Sequence, residues 1–255
     1  LPAGCFRDGE ALRRALEESA VILGERKRLG CEVLRADLDR RWLEAGDHRI
    51  DFRALVIGSG RECRRLSLAV EGDFGGDVTY QIEWRPGQFS GRPVAVVGAG
   101  DSASLDALEL AKGGSHVFHV HRARTLSARA DIVADIDAEP GIEELAGWEV
   151  ESLAGAERLE GITVVKRDTG ERRVLPVGGL VVKVGYAPNT KLFDGQIELA
   201  DEGGIVVGLD LATSREGVFA AGDVLAGSYP RVATAMGQGV LAARSVLHYL
   251  SQQAR

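Results

Sequence analysis

Cysteine is scarce in this chain: Cys5, Cys31 and Cys63 are an odd set, widely spaced and without a C-x-x-C pair. That excludes a disulfide framework and a zinc site built on paired thiols, and it suits a reducing compartment in which free thiols pack as small hydrophobes. No apolar run approaches the roughly 18 residues that a membrane-spanning helix needs. The opening LPAGCFRDGEALRRAL also lacks the apolar centre of a secretory signal, so a cytoplasmic protein is expected. Positive charge is not in excess either. Lys and Arg number 31 against 38 Asp and Glu, a net charge of −7, which disfavours a nucleic-acid backbone as partner. There is no G-x-S-x-G elbow, which sets aside a Ser-His-Asp hydrolase. Repeats and low-complexity tracts are missing too, and the first residue is Leu, so a trimmed or partial product is expected.

What is present is the composition of an ordinary globular protein, 45% hydrophobic and 27% charged over 255 residues, enough for one large or two small domains. Apolar residues from Glu10 to Leu29 recur at helical spacing and predict a surface helix ending near Gly30. CEVLRADL, DHRIDF and the apolar ALVIG predict strands. Arg61 to Gly91 reads as irregular, with a turn or linker at Pro86-Gly87. Beyond Pro93 the pattern sharpens into strand 94–97, a glycine turn, helix 102–112 and the strand HVFHVHR, a βαβ unit. GWEVE, GITVVKRD and RRVLPVGGLVVKVG predict strands with tight turns in an antiparallel excursion. GVFAAGDV predicts a strand stopping on Gly-Asp, and Ala233 to Leu250 a closing helix.

The glycine turn carries chemistry. Gly98-Ala99-Gly100-Asp101-Ser102-Ala103 fits G-x-G-x-x-A between a strand and a helix. Gly98 permits the tight turn, Gly100 lets backbone approach a diphosphate, and Ala103 lets helix and strand pack closely. The helix start then offers free amides and about half a positive charge to the phosphates. At the end of the next strand, where an NAD site usually has an acidic residue, stand His121, Arg122 and Arg124, with Arg129 close behind. Such a cluster suits a 2′-phosphate, and hence NADP(H), although a solvated basic loop is the other reading. Gly58-Ser59-Gly60 also follows an apolar strand, but Cys63 stands where the small packing residue belongs, so a plain turn is expected there.

Taken together, PVAVVGAGDSASLDALEL, FHVHR, VGYAPNT and GVFAAGDV with ATAMGQGVLAA resemble the thioredoxin reductase family of flavoproteins, in family order and spacing. The resemblance implies an α/β fold of two Rossmann-like dinucleotide-binding domains of three-layer ββα type. The NADPH domain, residues 90–195, would be inserted into an FAD domain, residues 1–89 and 196–255, that is incomplete at its N-terminus. It implies a homodimer in which hydride passes from NADPH to FAD. By the same resemblance Gly98, Gly100, Asp101, Ser102 and Ala103 meet the NADPH diphosphate, His121 and Arg122 begin the 2′-phosphate cluster, and Gly185 of VGYAPNT joins the cofactor set. Two further family arginines fall on Ala123 and Ser127, leaving Arg124 and Arg129 to substitute. Gly222 and Asp223 match the pair that meets the ribityl chain of FAD. Arg231 stands where the family tends to have Gln, and the helix start at Thr234 and Ala235 would face the flavin pyrimidine edge. A turn pair remains the other reading of Gly-Asp.

Two departures bear on function. The family dithiol aligns with Gln81-Ile82-Glu83-Trp84, and neither Gln81 nor Trp84 can form a mixed disulfide, which excludes thioredoxin reduction by the usual route. Trp84 could pack near an isoalloxazine or in a core. The family also opens with a strand and G-x-G-x-x-G for FAD, and this chain begins downstream of it. A front segment lacking from this sequence is expected to account for that; a second chain that supplies it, or absence of FAD, are the other readings. The leading expectation is an NADPH-dependent flavin oxidoreductase passing electrons to ferredoxin, flavodoxin, a quinone or another non-dithiol acceptor. The alternative is a non-catalytic NADP(H)-binding sensor or scaffold. Hinges are expected at Pro86-Gly87 to Gly91 and near Gly195.

Overall fold

A computed structural model describes residues 9–19, 28–66, 68, 74–80 and 87–254. In chain order the elements begin with α1 (Gly9–Ser19), β1 (Val33–Asp37), β2 (Trp42–Ala45), β3 (His48–Asp51), β4 (Leu55–Ile57) and β5 (Arg61–Cys63). A single tight helical turn at Phe74–Gly76 leads to β6 (Val78–Thr79), β7 (Val94–Val97), α2 (Asp101–Lys112), β8 (Val117–His121), α3 (Ala130–Ala138) and β9 (Ile142–Ala146). Then come β10 (Trp148–Gly155), β11 (Leu159–Lys166), β12 (Arg172–Leu175), β13 (Gly179–Val182), β14 (Tyr186–Pro188), a second tight turn at Lys191–Phe193, β15 (Val218–Ala220) and α4 (Val232–Gln252). These elements form two units: Glu62–Ala187, and the residues before and after it in the chain.

The inserted unit is built on a parallel sheet in the order β6-β13-β7-β8-β9. β7 is Val-Ala-Val-Val, a β-branched run that suits a strand covered on both faces. Its side chains alternate between two cores. Val94 and Val96 join Ala103, Ala107, Leu110 and Ile132 of α2 and α3 on one face. Ala95 and Val97 join Trp148, Ile162, Val164 and Leu175 on the other, where β10, β11 and β12 form an antiparallel sheet. The result is the three-layer ββα sandwich that the resemblance implies. Each fully buried aliphatic contributes about 1.5–3 kcal/mol, against about 0–1 kcal/mol for an exposed ion pair, so these two cores hold the sheet.

One buried carboxylate departs from that rule. Asp77, 2% exposed, receives Arg158 at 2.6 and 2.7 Å, Arg92 at 3.0 Å and the Leu159 N–H at 3.1 Å. Burial alone would push its carboxyl up, but the bonds from Arg158, Arg92 and Leu159 outweigh it and hold the group below the ordinary aspartate value. The cluster ties the β6 segment to the start of β11.

The outer unit holds the antiparallel sheet β1-β2-β3 and the parallel pair β4 and β15. Ile57, Phe193, Ile205, Val218, Ala220 and Ala242 lie in its core. After β4 the chain runs through Gly58-Ser59-Gly60 directly into β5 with no helix, as a plain turn requires.

Several expectations are corrected. Arg61 to Gly91 is not irregular throughout: β5 and β6 lie in it, and β6 pairs with β13 at the edge of the parallel sheet. The helix expected from Glu10 to Leu29 is described as far as Ser19; residues 20–27 lie outside the described set, and Arg28 and Leu29 are not helical. β2, α3 and β9 answer to no expected element. The two units divide at 61/62 and 187/188, so that β6 goes with the parallel sheet and Phe193 with the outer core.

Candidate functional site

At the end of β7 the chain must reverse into α2. Gly98 takes φ +144°, and a Cβ there would strike the carbonyl oxygen of Lys183 and stand 3.0 Å from the Cβ of Ala103. The fold itself therefore demands glycine at this position. Gly100 is a different case: its φ is −93° and an added Cβ would meet nothing within 4 Å. Its missing side chain keeps open the space in front of the helix. α2 starts there with no side-chain cap, so the amides of Asp101, Ser102 and Ala103 lack intrahelical acceptors and carry the positive end of the helix dipole.

The turn is braced from two sides. From β8, the fully buried His119 donates through Nε2–H to the Gly98 carbonyl at 2.8 Å. Burial, with a smaller lowering effect of His121, brings its pKa to about 4 against the raising effects of that bond and of Glu144. The ring is thus a neutral donor. On the other side Ser127 donates from its N–H, at 2.8 Å, and from Oγ, at 3.1 Å, to the Ala99 carbonyl. Asp101 accepts the Arg129 N–H at 2.9 Å, so the loop after β8 is tied to the first residue of α2.

The residues expected at a 2′-phosphate are not placed alike. Arg122 and Arg124 are exposed. The His121 side chain is 1% exposed, with Nε2 3.0 Å from the Glu144 carboxylate. Arg129 pairs with Asp131 at 3.1 Å and approaches Asp101 at 3.8 Å. Gly185 has φ +93°, and its carbonyl accepts the Arg64 N–H at 3.0 Å.

A cavity of about 940 Å³ opens over this turn, within the inserted unit. Gly98, Ala99 and Gly100 line it together with His121, Arg122, Ser127 and Lys183 to Gly185. Arg64, Arg65, Leu66 and Leu68, and Trp148, Glu149 and Val150, also line it. Among the described residues Arg64, Arg65, Arg122 and Lys183 set four cations in the lining against the carboxylate of Glu149. In a chain of net charge −7, that concentrates positive potential in one cleft. The cavity has the size of ordinary cofactor sites, about 300–1,000 Å³.

The remaining expected residues lie in the outer unit. Gly222, at φ +89°, follows β15; its N–H donates to Gln238 Oε1 at 2.8 Å, and a Cβ there would touch Ala235 at 3.8 Å. The backbone carbonyl of Asp223 accepts Arg61 Nε at 2.7 Å. α4 begins after Arg231 with no side-chain cap, so its first amides, before Thr234 and Ala235, are open in the same way as those of α2. Arg231 lies over the Tyr229 ring, 4.5 Å from its centroid, and donates to the Tyr229 hydroxyl at 3.1 Å. These groups fit the ribityl chain and pyrimidine edge of a flavin; among the described residues of this unit no glycine turn cradles a diphosphate. Gln81 and Trp84 lie outside the described residues.

Sequence reasoning missed Arg64, Arg65 and Lys183. The first two sat in a stretch read as irregular. Lys183 did leave a signal, a single charge inside the apolar run LVVKVG.

Residues 10–239 match the family model described as pyridine nucleotide-disulphide oxidoreductase. A thioredoxin reductase of Yarrowia lipolytica is 32% identical over 244 residues, covering 89% of this chain and 76% of that protein. A thioredoxin reductase of Streptomyces clavuligerus is 35% identical over 201 residues, 78% of this chain; the matched part spans 62% of that relative's length. Among solved structures, the thioredoxin reductase of T. acidophilum matches with a TM-score of 0.77 and 25% identity, covering 96% of this chain and 81% of that one.

Proposed function

The chain belongs to the pyridine nucleotide-disulphide oxidoreductase family, within its thioredoxin reductase-like members, and from that premise we propose that it is an NADPH-dependent flavin oxidoreductase that does not use a dithiol. One observation carries the reading: an uncapped helix start behind Gly98 and Gly100, a turn that lines the same cavity as four cations. The α2 amides would bind the diphosphate of NADP(H), and Arg122 and Arg124 the 2′-phosphate. His121, buried against Glu144, would shape that end without contributing a free cation, and Arg129 would act by fixing the loop to Asp101. Gly185 would lie along the bound dinucleotide.

FAD, when bound, would supply the hydride acceptor. In the outer unit Gly222 would leave room for the ribityl chain and the Asp223 carboxylate would accept its hydroxyl hydrogen bonds. The α4 amides near Thr234 and Ala235 would stabilise negative charge on the pyrimidine edge. Gln81 and Trp84, at the positions of the family dithiol, direct electrons to ferredoxin, flavodoxin, a quinone or a similar acceptor. The family resemblance also supports a cytoplasmic homodimer.

The test is an NADPH-oxidation assay with added FAD, using ferricyanide in one arm and a thioredoxin disulfide in the other. Turnover with ferricyanide alone is expected; brisk disulfide reduction would overturn the reading. A second reading, an NADP(H)-binding sensor, is favoured by the engagement of Arg231 with Tyr229. NADPH binding without turnover in either arm would establish it.

A further inference from the structure

Lys183 follows β13 on the side of the sheet that faces α2. Its side chain is 4% exposed, and Nζ lies 3.2 Å from the carboxylate of Asp106, whose side chain is 13% exposed. Nζ makes no hydrogen bond of good geometry, so charge alone holds this pair. An ion pair buried between sheet and helix is a poor stabiliser, because desolvation offsets most of the attraction and hydrocarbon of similar volume commonly serves as well. The same layer otherwise uses Val181, Ala103 and Ala107. Folding alone gives little reason for this charge.

Its position gives a better one. The Lys183 N–H donates to the Val97 carbonyl at 2.7 Å, and its own carbonyl oxygen occupies the space that a Gly98 side chain would need. The residue lines the same cavity as Gly98, Ala99 and Gly100. A dinucleotide brings two negative charges to that turn, whereas the helix start offers about half a positive one. The turn adds a carboxylate, Asp101, offset by Arg129. The other cations of that lining, Arg64, Arg65 and Arg122, are exposed, which leaves Lys183 as the buried cation of the cavity among the described residues.

We propose that Lys183 is the buried cation that complements the dinucleotide diphosphate, and that Asp106 holds it in place while masking part of its charge. This rests on the reading that NADP(H) binds at the turn. Lys183 and Asp106 then act on affinity in opposite directions, which a structural pair would not do.

The experiment is a fluorescence titration of the full chain with NADPH and, separately, with adenosine 2′-monophosphate, which has no diphosphate. Lys183→Met keeps the aliphatic stem and should weaken NADPH by about tenfold or more, the worth of a hydrogen bond to a charged group. Asp106→Asn should tighten it several-fold by unmasking the ammonium. Binding of adenosine 2′-monophosphate should hold in both, with thermal midpoints followed to confirm folding. If Lys183→Met does not fold, the sign of the Asp106→Asn effect decides. The inference is overturned if both variants shift NADPH affinity in the same direction, if Lys183→Met leaves it unmoved, or if the nucleotide without diphosphate loses as much. Failure of the unaltered chain to bind NADPH would sink the underlying reading as well.

Discussion

At the scale of single residues, two glycines of one turn separate folding from binding. Gly98→Ala forces a methyl into the Lys183 carbonyl at a backbone angle that L residues avoid, so a loss of about 1–3 kcal/mol in urea unfolding is expected, together with loss of NADPH binding. Gly100→Ala meets open space. It should leave the unfolding midpoint unchanged while reducing NADPH affinity, because the methyl occupies the space a diphosphate would enter. Equal destabilisation by both would deny Gly100 a ligand role. Asp77 supplies a third residue-level test. Its carboxyl is held below the ordinary value of 3.8, so its contribution is fully present above that pH and is lost as pH falls through the lower folded value. Asp77→Asn leaves Arg92 and Arg158 without their charge partner, and at pH 7 should cost about 2 kcal/mol or more in urea unfolding.

Among elements, the join between β8 and the glycine turn is sensitive to pH. His119 titrates near 6.5 when unfolded and at about 4 when folded. Between those values the unfolded chain binds a proton that the native ring refuses, so stability should fall as pH is lowered through that window and level off below it. His119→Gln, which keeps a donor but cannot titrate, should flatten that part of the unfolding profile measured from pH 7 to pH 4; an unchanged slope would place its source elsewhere. Elements were legible in the sequence where local pattern and tertiary setting agree. β7, α2 and β8 were readable because an all-apolar strand, a glycine break and a helical stripe follow one another. β6 was not, since two residues at a sheet edge owe their strand state to β13 rather than to their own pattern. β2, Trp-Leu-Glu-Ala, and β9, Ile-Glu-Glu-Leu-Ala, set Glu among apolar residues without strict alternation, which blurs any period. α4 was readable as a helix, although Met236, Val240 and Leu247 along it are exposed.

For the whole molecule, the inserted unit has its own sheet, two cores and every described residue that lines the cavity. Residues 62–187 expressed alone should therefore unfold cooperatively and bind NADPH with an affinity close to that of the full chain; a molten or non-binding fragment would refute this. The glycine turn of the candidate site was legible because its residues are contiguous. Arg64, Arg65 and Lys183 reach the same cavity from segments more than a hundred residues apart, a convergence that only the folded sheet creates. Nor could the sequence tell a buried His121 from a free one, since that depends on Glu144 of the neighbouring strand.

The bond from the Arg64 N–H to the Gly185 carbonyl makes the entry and exit of the inserted unit neighbours. For the host around it, the insertion is then a short splice rather than a long tether, and its size adds little closure entropy. A related body with a different cofactor preference, entering and leaving through the same doorway, could be grafted in its place without re-engineering the joints.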